Sequence, residues 1–314
     1  MPGENLPHNI LVTGGAGYIG SVLVGRLLSE GYRVRVLDNL SYGGGSLLAY
    51  LPHERFELLV GDTRKANDVE RALDGIDGVV HLAAIVGDPA CAWNPKLARD
   101  VNQAGSELLA DVAVRRSVRR FVFASTCSNY GKMAEPEGFV DENSPLNPVS
   151  LYAELKVGFE KHLLAIRKDG FTPICLRFAT AFGLSPRPRF DLTVNEFTRD
   201  MALKKRLEVF GEQFWRPYCH TTDLARACIT VLAADEEKVD HEVFNVGDTN
   251  QNYQKKTLVK IIAEQLPEGT GEVVFVHKDE DPRDYRVNFA KIQDRLGHHI
   301  SRRVRDGVRE IIDA

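Results

Sequence analysis

Short apolar segments alternate with longer amphipathic segments through the first 180 residues of this 314-residue chain. The apolar segments are rich in Val, Ile, Leu and Phe, as strands buried on both faces are. They lie at residues 9–13, 33–38, 55–61, 78–84, 120–125 and 173–179. This alternation predicts an α/β fold, a doubly wound parallel sheet with right-handed crossovers and helices on both faces.

Composition excludes several classes of protein. The chain has 43% hydrophobic and 27% charged residues and a formal net charge of −4, so we expect no nucleic-acid partner. No apolar run approaches the roughly 18 residues that cross a bilayer, so we expect no membrane partner. The first nine residues lack the apolar stretch of a signal peptide.

Five cysteines are scattered along the chain without any CxxC pair. Reduced thiols explain this usage better than a disulfide framework or a metal site, so we expect no bound metal. Together with the missing signal peptide, this predicts a cytoplasmic protein. The cysteines are Cys91, Cys127, Cys175, Cys219 and Cys228.

A glycine-rich turn, TGGAGYIGS (13–21), follows the first apolar segment and opens a helical pattern. Gly14, Gly17 and Gly20 let the backbone turn, approach a diphosphate and pack the helix against the strand. Asp38 ends the second apolar segment, 18 residues beyond Gly20, where a carboxylate can bind an adenosine ribose. A carboxylate also repels a 2′-phosphate, which favours NAD over NADP. The alternative is a ligand-free turn with an incidental acidic residue.

Two further segments end apolar runs at the same predicted sheet edge, where ligands of such folds bind. GDTR (61–64) offers Asp62 to an adenine amino group, and HLAA (81–84) offers the small residues Ala83 and Ala84 beside a cofactor. Either segment alone could be an ordinary loop.

The glycine pattern, Asp38, HLAA, STCSNYG (125–131) and YAELK (152–156) occur in one order. In that order they resemble the extended short-chain dehydrogenase/reductase family, specifically its nucleotide-sugar epimerases and dehydratases. The resemblance extends from Ile10 to the final helix. It implies a Rossmann domain, the cofactor NAD, a nucleotide-diphosphate sugar substrate, and a homodimer formed through helices at about 95–117 and 149–169.

We predict two regions on this basis. Residues 1–179, with about 217–248, form the NAD-binding Rossmann domain, since a strand-like segment at 242–247 is expected to return to the main sheet. Residues from about 180 to 216 and from 249 to 314 form a smaller α/β region that binds the nucleotide sugar. The predicted cofactor contacts are Gly14, Gly17, Tyr18, Ile19, Gly20, Asp38, Asn39, Asp62, Thr63, Ala83, Ala84, Asn102, Tyr152 and Lys156.

Tyr152 and Lys156 lie four residues apart, on one face of a predicted helix. They could be an ordinary surface pair. Beside a nicotinamide they gain a function, because the lysine ammonium and the oxidised ring should lower the tyrosine pKa from about 10. The phenolate could then remove a proton from a sugar hydroxyl. The resemblance implies that Lys156 also binds the nicotinamide ribose.

The resemblance implies a third catalytic residue, a hydroxyl four positions before the tyrosine of the YG pair. This is Thr126, with Ser125 and Ser128 as alternatives. Asn102 in DVNQAG (100–105) matches a family asparagine on the cofactor side of the site, although it could instead only order a helix.

The two residues after Thr126 help to distinguish between the reactions that this family catalyses. The 4,6-dehydratases carry Asp-Glu there, to expel one hydroxyl and remove one proton, whereas this chain carries Cys127 and Ser128. We therefore expect oxidation and reduction at C4 of the sugar by a 4-epimerase. The alternatives are a net 4-dehydrogenase or ketoreductase, including one acting on a GDP-heptose, and a non-catalytic NAD-binding scaffold. Cys127 could be a nucleophile, although a small uncharged neighbour of the site is the simpler interpretation.

Substrate contacts are expected from the later part of the chain. Thr180 replaces the asparagine of a family R-x-x-N pattern that begins at Arg177. Asn195 lies in the segment that resembles a diphosphate-wrapping loop, and Arg216 and Arg283 match family arginines suited to phosphate oxygens. Each arginine could instead lie on the surface. The predicted substrate contacts are Thr126, Ser128, Thr180, Asn195, Arg216 and Arg283.

Overall fold

The computed structural model describes residues 6–133, 138–266, 268–278 and 283–314. Residues 1–5, part of the segment in which no signal peptide is expected, lie outside the described residues. The fold is α/β, and a large parallel sheet dominates it. The fold-class prediction is therefore confirmed.

The strands follow the predicted apolar segments closely. They are β1 (Asn9–Thr13), β2 (Arg33–Asp38), β3 (Phe56–Val60), β4 (Gly78–His81), β5 (Arg120–Thr126), β6 (Thr172–Phe178), β7 (Thr180–Phe182), β8 (Leu207–Phe210), β9 (Trp215–His220), β10 (Glu242–Val246), β11 (Asn252–Gln254) and β12 (Val273–Val276).

Helices fill the intervals between the strands. They are α1 (Tyr18–Ser29), α2 (Ala66–Ala72), α3 (Asp88–Trp93), α4 (Pro95–Arg99), α5 (Ser106–Arg115), α6 (Leu151–Ala165), α7 (Thr193–Ala202), α8 (Thr221–Ala233), α9 (Glu236–Val239), α10 (Lys255–Ala263), α11 (Ala290–Leu296) and α12 (Val304–Asp313). A π-helix, Asp100–Gly105, joins α4 to α5.

The main sheet has seven parallel strands in the order β10-β6-β5-β4-β1-β2-β3. β1 pairs with β2 on one side and with β4 on the other, so the chain reverses its winding direction between β1 and β4. In such sheets a crevice opens at this reversal, beyond the carboxyl ends of the strands. β10 joins the outer edge of the sheet through β6, as expected for the segment at 242–247.

Each face of the sheet has its own apolar core. One core packs α1 and α8 against the sheet, and the other packs α2, α5 and α6. β5 and β6 are buried along their whole length, which explains their nearly unbroken apolar sequences.

A second group of elements packs around a separate apolar cluster that includes Phe182, Val194, Tyr218, Leu258 and Val308. Strands β11, β9 and β7 form one small sheet, and β12 pairs with β8 in another. This arrangement is compatible with a distinct substrate-binding region, but the division of the chain into two domains stays a prediction.

Gly20 shows why one position of α1 requires the smallest residue. A Cβ at Gly20 would lie 2.2 Å from the carbonyl oxygen of Gly14 and 2.8 Å from the Cα of Gly15, both backbone atoms. Because backbone cannot rotate away as a long side chain can, a methyl group there must push α1 away from the preceding turn.

Gly20→Ala should lower the free energy of unfolding by about 1–3 kcal/mol, since the added methyl overpacks the turn. The measurement is urea denaturation followed by circular dichroism. Gly45→Ala is the matched control, because a Cβ at Gly45 has no neighbour within 4 Å. Equal unfolding midpoints for the two variants would contradict the argument.

Candidate active site

A crevice of about 880 Å³ lies at the carboxyl edge of the main sheet. Its walls are the turn between β1 and α1, the ends of β4 and β5, the first turns of α6, and the segment that follows β7. The predicted site residues that line it are Gly14, Gly17, Tyr18, Ile19, Gly20, Asp38, Asn39, Asp62, Thr63, Ala83, Ala84, Thr126, Ser128, Tyr152, Lys156, Thr180, Arg216 and Arg283.

The glycine turn forms the floor of the crevice at the start of α1. Gly14 has a φ of +72°, and a Cβ there would lie 2.8 Å from the Ala83 nitrogen. Its amide donates to the Leu37 carbonyl at 3.0 Å, and the Gly17 amide donates to the Gly14 carbonyl at 3.1 Å. The turn thus packs closely against Ala83 and forms a cradle in which Gly14 and Gly17 are partly exposed and line the crevice. This cradle has the shape that a diphosphate requires.

Asp38 stands beside this cradle, at the end of β2. Its carboxylate accepts hydrogen bonds from the amides of Ala16, at 3.0 Å, and Leu40, at 2.9 Å. It therefore joins the glycine turn to the loop after β2, and it also lines the crevice together with Asn39. This is where a ribose-binding acid is expected.

Asp62 lines the crevice but already has a partner. Arg64 donates to it from the backbone amide and from the guanidinium, with Nη2 2.6 Å from Oδ2. The Arg64 hydrogen bond holds the pKa of the Asp62 carboxyl below its usual range. An adenine that contacts Asp62 therefore contacts the Asp62–Arg64 ion pair. This ion pair was not predicted from the sequence.

Tyr152 and Lys156 face the crevice from the first turns of α6. The Lys156 ammonium is buried, donates to the Ala124 carbonyl at 2.7 Å, and lies 5.9 Å from the centre of the Tyr152 ring. Thr126 lines the same crevice, and its side chain lowers the pKa of the Tyr152 phenol. The structure thus brings together the three residues predicted to be catalytic.

The electrostatics of Tyr152 differ from the expectation. Burial is the largest influence and raises the Tyr152 pKa well above its ordinary value, and Cys91 and Asp88 raise it further. Arg189 and Thr126 lower it. Lys156 is not among the largest influences on the Tyr152 pKa, and the lowering expected from its ammonium together with the oxidised ring stays a prediction. Burial lowers the pKa of Lys156 itself to about 8, which weakens its charge above that pH.

The substrate side of the crevice carries hydroxyl groups and cations. Ser128 Oγ lies 3.4 Å from Tyr285 Oη, and the Arg216 guanidinium lies 5.4 Å from the centre of the Tyr285 ring. Thr180 lines the same wall, from the first position of β7. Tyr285 was not predicted, although it lies two residues beyond Arg283 in the DPRDYRVN segment.

Two predicted contacts lie behind the crevice wall rather than on it. The Asn102 side chain accepts from the Ile85 amide at 2.7 Å and donates to the Ile85 carbonyl at 2.8 Å. Asn195 accepts from the Gly183 amide at 2.9 Å and donates to the Arg189 carbonyl at 2.9 Å. Both amides hold crevice-forming loops, and direct contact of Asn102 or Asn195 with cofactor or substrate stays a prediction.

Arg189 is a crevice residue that was not predicted from the sequence. Its guanidinium pairs with Asp191, with Nε 3.1 Å from Oδ1, and its charge lowers the pKa of Tyr152. The RPRFD segment (187–191) contains two arginines, but the sequence alone does not show which of them influences Tyr152.

The segment around Arg189 is fastened to the dinucleotide helix α1. Tyr18 Oη donates to the Gly183 carbonyl at 2.6 Å, and Ser185 Oγ donates to the Tyr18 carbonyl at 2.6 Å. The Ser21 and Ser185 hydroxyl oxygens are 3.1 Å apart. Farther along, the Arg187 guanidinium lies 4.2 Å from the centre of the Tyr42 ring, on the loop after β2. We call residues 183–192 the crossing segment, because they join the two walls.

A buried ion pair supports the strand that carries Thr126. Arg177 pairs with Glu160, and Glu160 accepts from Ser125 Oγ at 2.7 Å. Cys127 is also buried, donates from Sγ to the Arg177 carbonyl at 3.2 Å, and has a pKa that burial raises well above its ordinary value. A thiol in this state is a poor nucleophile, which disfavours that alternative.

Comparisons with known proteins agree with this site. The sequence model of the NAD dependent epimerase/dehydratase family matches residues 10–247. A dTDP-glucose 4,6-dehydratase from Streptomyces niveus is 30% identical, over 97% of this chain and 91% of its own. A UDP-glucose 4-epimerase from Thermus thermophilus, solved with NAD, superposes with a TM-score of 0.83 at 26% identity, covering 97% of this chain and 98% of its own.

A second solved structure is a UDP-glucose 4-epimerase from Thermotoga maritima with UDP-glucose. It has a TM-score of 0.85 and 27% identity and covers 97% of each chain. This chain therefore belongs to the NAD dependent epimerase/dehydratase family, and its cofactor is NAD. The residues fit that cofactor, because Gly14 and Gly17 line the crevice without side chains just before α1 and Asp38 lies beside them.

Within the described parts of the chain, no helix combines the length and the apolar character that spanning a bilayer requires.

The buried lysine predicts a specific pH dependence of stability. Lys156 has a pKa of about 8 when folded, against 10.5 for the free side chain. Between about pH 8 and pH 10.5, Lys156 of the unfolded chain binds more protons than Lys156 of the folded chain. The contribution of Lys156 to stability therefore rises with pH in this range. In protein freed of NAD, the stability of Lys156→Met relative to wild type should therefore fall by about 2–3 kcal/mol from about pH 8 to about pH 10.5.

Urea denaturation of both proteins at each pH measures this difference, and the comparison cancels groups that titrate equally in the two. A relative stability that stays constant across the window would show that Lys156 titrates normally.

Proposed function

We propose that this protein oxidises and reduces C4 of a nucleotide-diphosphate sugar with NAD and acts as a sugar-nucleotide 4-epimerase. The observation that carries the proposal is that Thr126, Tyr152 and Lys156 line one crevice, with the buried Lys156 ammonium 5.9 Å from the centre of the Tyr152 ring. A phenol, a hydroxyl and an ammonium converging on one cavity suit proton transfer at a sugar hydroxyl.

In this proposal each residue of the site has a separate role. Tyr152 Oη accepts the proton of the C4 hydroxyl, while the Thr126 hydroxyl holds the same sugar oxygen. Lys156 stabilises the site electrostatically from its bond to the Ala124 carbonyl. When bound, NAD supplies reversible hydride exchange and a positive charge that opposes the effect of burial on the Tyr152 pKa. Arg216 and Arg283 bind the diphosphate oxygens.

The site argues against dehydration, even though one relative is named for it. Elimination needs an acid and a base besides the tyrosine. Cys127 points to the Arg177 carbonyl and has a raised pKa, and Ser128 carries no charge. An intact Tyr152, Lys156 and glycine cradle likewise argue against a non-catalytic scaffold.

The same site could support a net 4-dehydrogenase or ketoreductase. The two reactions differ in the fate of the reduced cofactor. An epimerase returns to oxidised NAD in each cycle, whereas a dehydrogenase accumulates NADH when the sugar nucleotide is added. UDP-glucose is the first substrate to test, because the Thermotoga maritima structure contains it. The relatives reported above are named for UDP- and dTDP-sugars and give no support to a GDP-heptose.

The direct test is Tyr152→Phe assayed with UDP-glucose. Removing the phenol hydroxyl should lower kcat by about 10²- to 10⁴-fold, the usual contribution of a general base. NAD content and the affinity for UDP should stay near wild type, because the ring keeps its packing. Thermal shift with UDP-, GDP-, dTDP- and CDP-sugars identifies the nucleotide, since a ligand of the folded state raises Tm. Unchanged turnover by Tyr152→Phe would exclude the proposed base.

We also propose a homodimer formed through the segments at about 95–117 and 149–169, which contain α4, α5 and α6. A symmetric dimer presents the same helices from both protomers. Light scattering should therefore give twice the chain mass of 35.0 kDa. A mass of one chain at micromolar concentration would contradict this assembly.

A further inference from the structure

Asp88 makes two short side-chain contacts, one through each oxygen of its carboxylate. It is the first residue of α3 and follows Gly87, whose φ of +94° turns the chain there. One carboxylate oxygen accepts from Ser150 Oγ at 2.7 Å, and the other pairs with Arg283 Nη1 at 2.7 Å. One short side chain thereby joins three segments that are far apart in sequence.

The Ser150 contact reaches the helix of the proposed base. Ser150 is the N-cap of α6, and its hydroxyl oxygen accepts from the Ala153 amide at 3.3 Å. Tyr152 is the second residue of that helix, two positions after the cap. A group bound to the cap hydroxyl therefore influences where the first turn of α6, and with it Tyr152, sits relative to the crevice.

The Arg283 contact reaches the substrate side. Arg283 lines the crevice, and its side chain is only partly exposed beside Asp88. A guanidinium has donors on several edges, so a carboxylate on one edge fixes the direction in which the others point. Asp88 can thus orient Arg283 without replacing its diphosphate contacts.

We propose that Asp88 is a positioning residue, which couples the diphosphate-binding arginine to the tyrosine helix and sets the electrostatic field at Tyr152. This inference rests on the proposed function of the same site. It adds to that function an acidic residue that the substrate does not need to touch.

The groups around Tyr152 determine whether removing the Asp88 charge raises or lowers the Tyr152 pKa. α3 contributes Asp88 and Cys91, which raise the Tyr152 pKa, and the crossing segment contributes Arg189, which lowers it. β5 contributes Thr126, which also lowers it. α6 contributes the Lys156 ammonium at 5.9 Å from the ring centre. Removing the Asp88 charge should therefore make Tyr152 ionise at lower pH, provided that the helix stays in place.

The experiment is a titration of tyrosinate by ultraviolet absorbance in the NAD-bound protein, with Tyr152→Phe as the blank. Asp88→Asn can keep an oxygen for the Ser150 hydroxyl but loses the charge. We expect it to lower the Tyr152 midpoint by about 0.5–1 pH unit, as for a charge that solvent partly screens. Ser150→Ala is the matched comparison, because it removes the bond and keeps the charge. Its midpoint should move by less than that of Asp88→Asn, and a shift of the same size and direction in both variants would show that the Asp88 charge does not set the field at Tyr152.

Arg283→Gln tests the second half of the proposal. Losing the cation leaves Asp88 unpaired near α6, so the midpoint should rise in this variant. In the Asp88→Asn background the same change should have a smaller effect. A rise of equal size in both backgrounds would mean that Arg283 acts on Tyr152 directly, and it would overturn the coupling.

These outcomes are separable from those of the proposed function. The titration needs no sugar, so equal midpoints for wild type, Asp88→Asn and Arg283→Gln would overturn the role of Asp88 even in an active enzyme. If UDP-glucose is turned over, the acid limb of the kcat–pH profile should move with the titration in Asp88→Asn. Absence of turnover of every sugar nucleotide by wild type would instead contradict the proposed function.

Discussion

Close backbone contact at the start of α1 determines the shape of the crevice on which the rest of the site depends. The turn after β1 passes so near the Ala83 backbone that Gly14 has no room for a side chain. Gly20 has none either, because the first turn of α1 lies against the backbone of Gly14 and Gly15. Because β1 lies between β2 and β4, this contact occurs where the sheet reverses its winding. Moving α1 outward by the width of a methyl group would widen the cradle and shift Asp38, which bonds the same turn through the Ala16 amide.

Burial has opposing effects on the two titratable groups at the centre of the site. The same apolar surroundings that position Lys156 and Tyr152 disfavour the charged form of each, so the lysine loses its proton more easily and the tyrosine less easily. The protein compensates through neighbours on other elements, namely Thr126 on β5 and Arg189 on the crossing segment. Asp88 acts against them. The acidity of Tyr152 is therefore set by the tertiary structure rather than by the YxxxK pair alone.

The parallel sheet and its strand segments could be predicted, and most of the predicted site residues do line the crevice, because strand ends and glycine turns are local features of the sequence. Asn102 and Asn195 show the limit, since an amide that contacts a ligand and one that braces a loop look alike in sequence. Arg189 and Asp88 show a second limit. Their importance comes from partners brought near by the fold, such as Tyr152 and Ser150, and spacing along the chain does not encode those distances.

The hydrogen bonds between the crossing segment and α1 have a consequence for how the crevice can open. Tyr18 and Ser185 fasten the segment that carries Arg187 and Arg189 to the helix that follows the glycine turn. Lifting that segment would break bonds worth about 1 kcal/mol each, and it would separate Arg187 from Tyr42 as well. The wall that carries Arg189 therefore cannot swing outward without losing its hold on the start of α1.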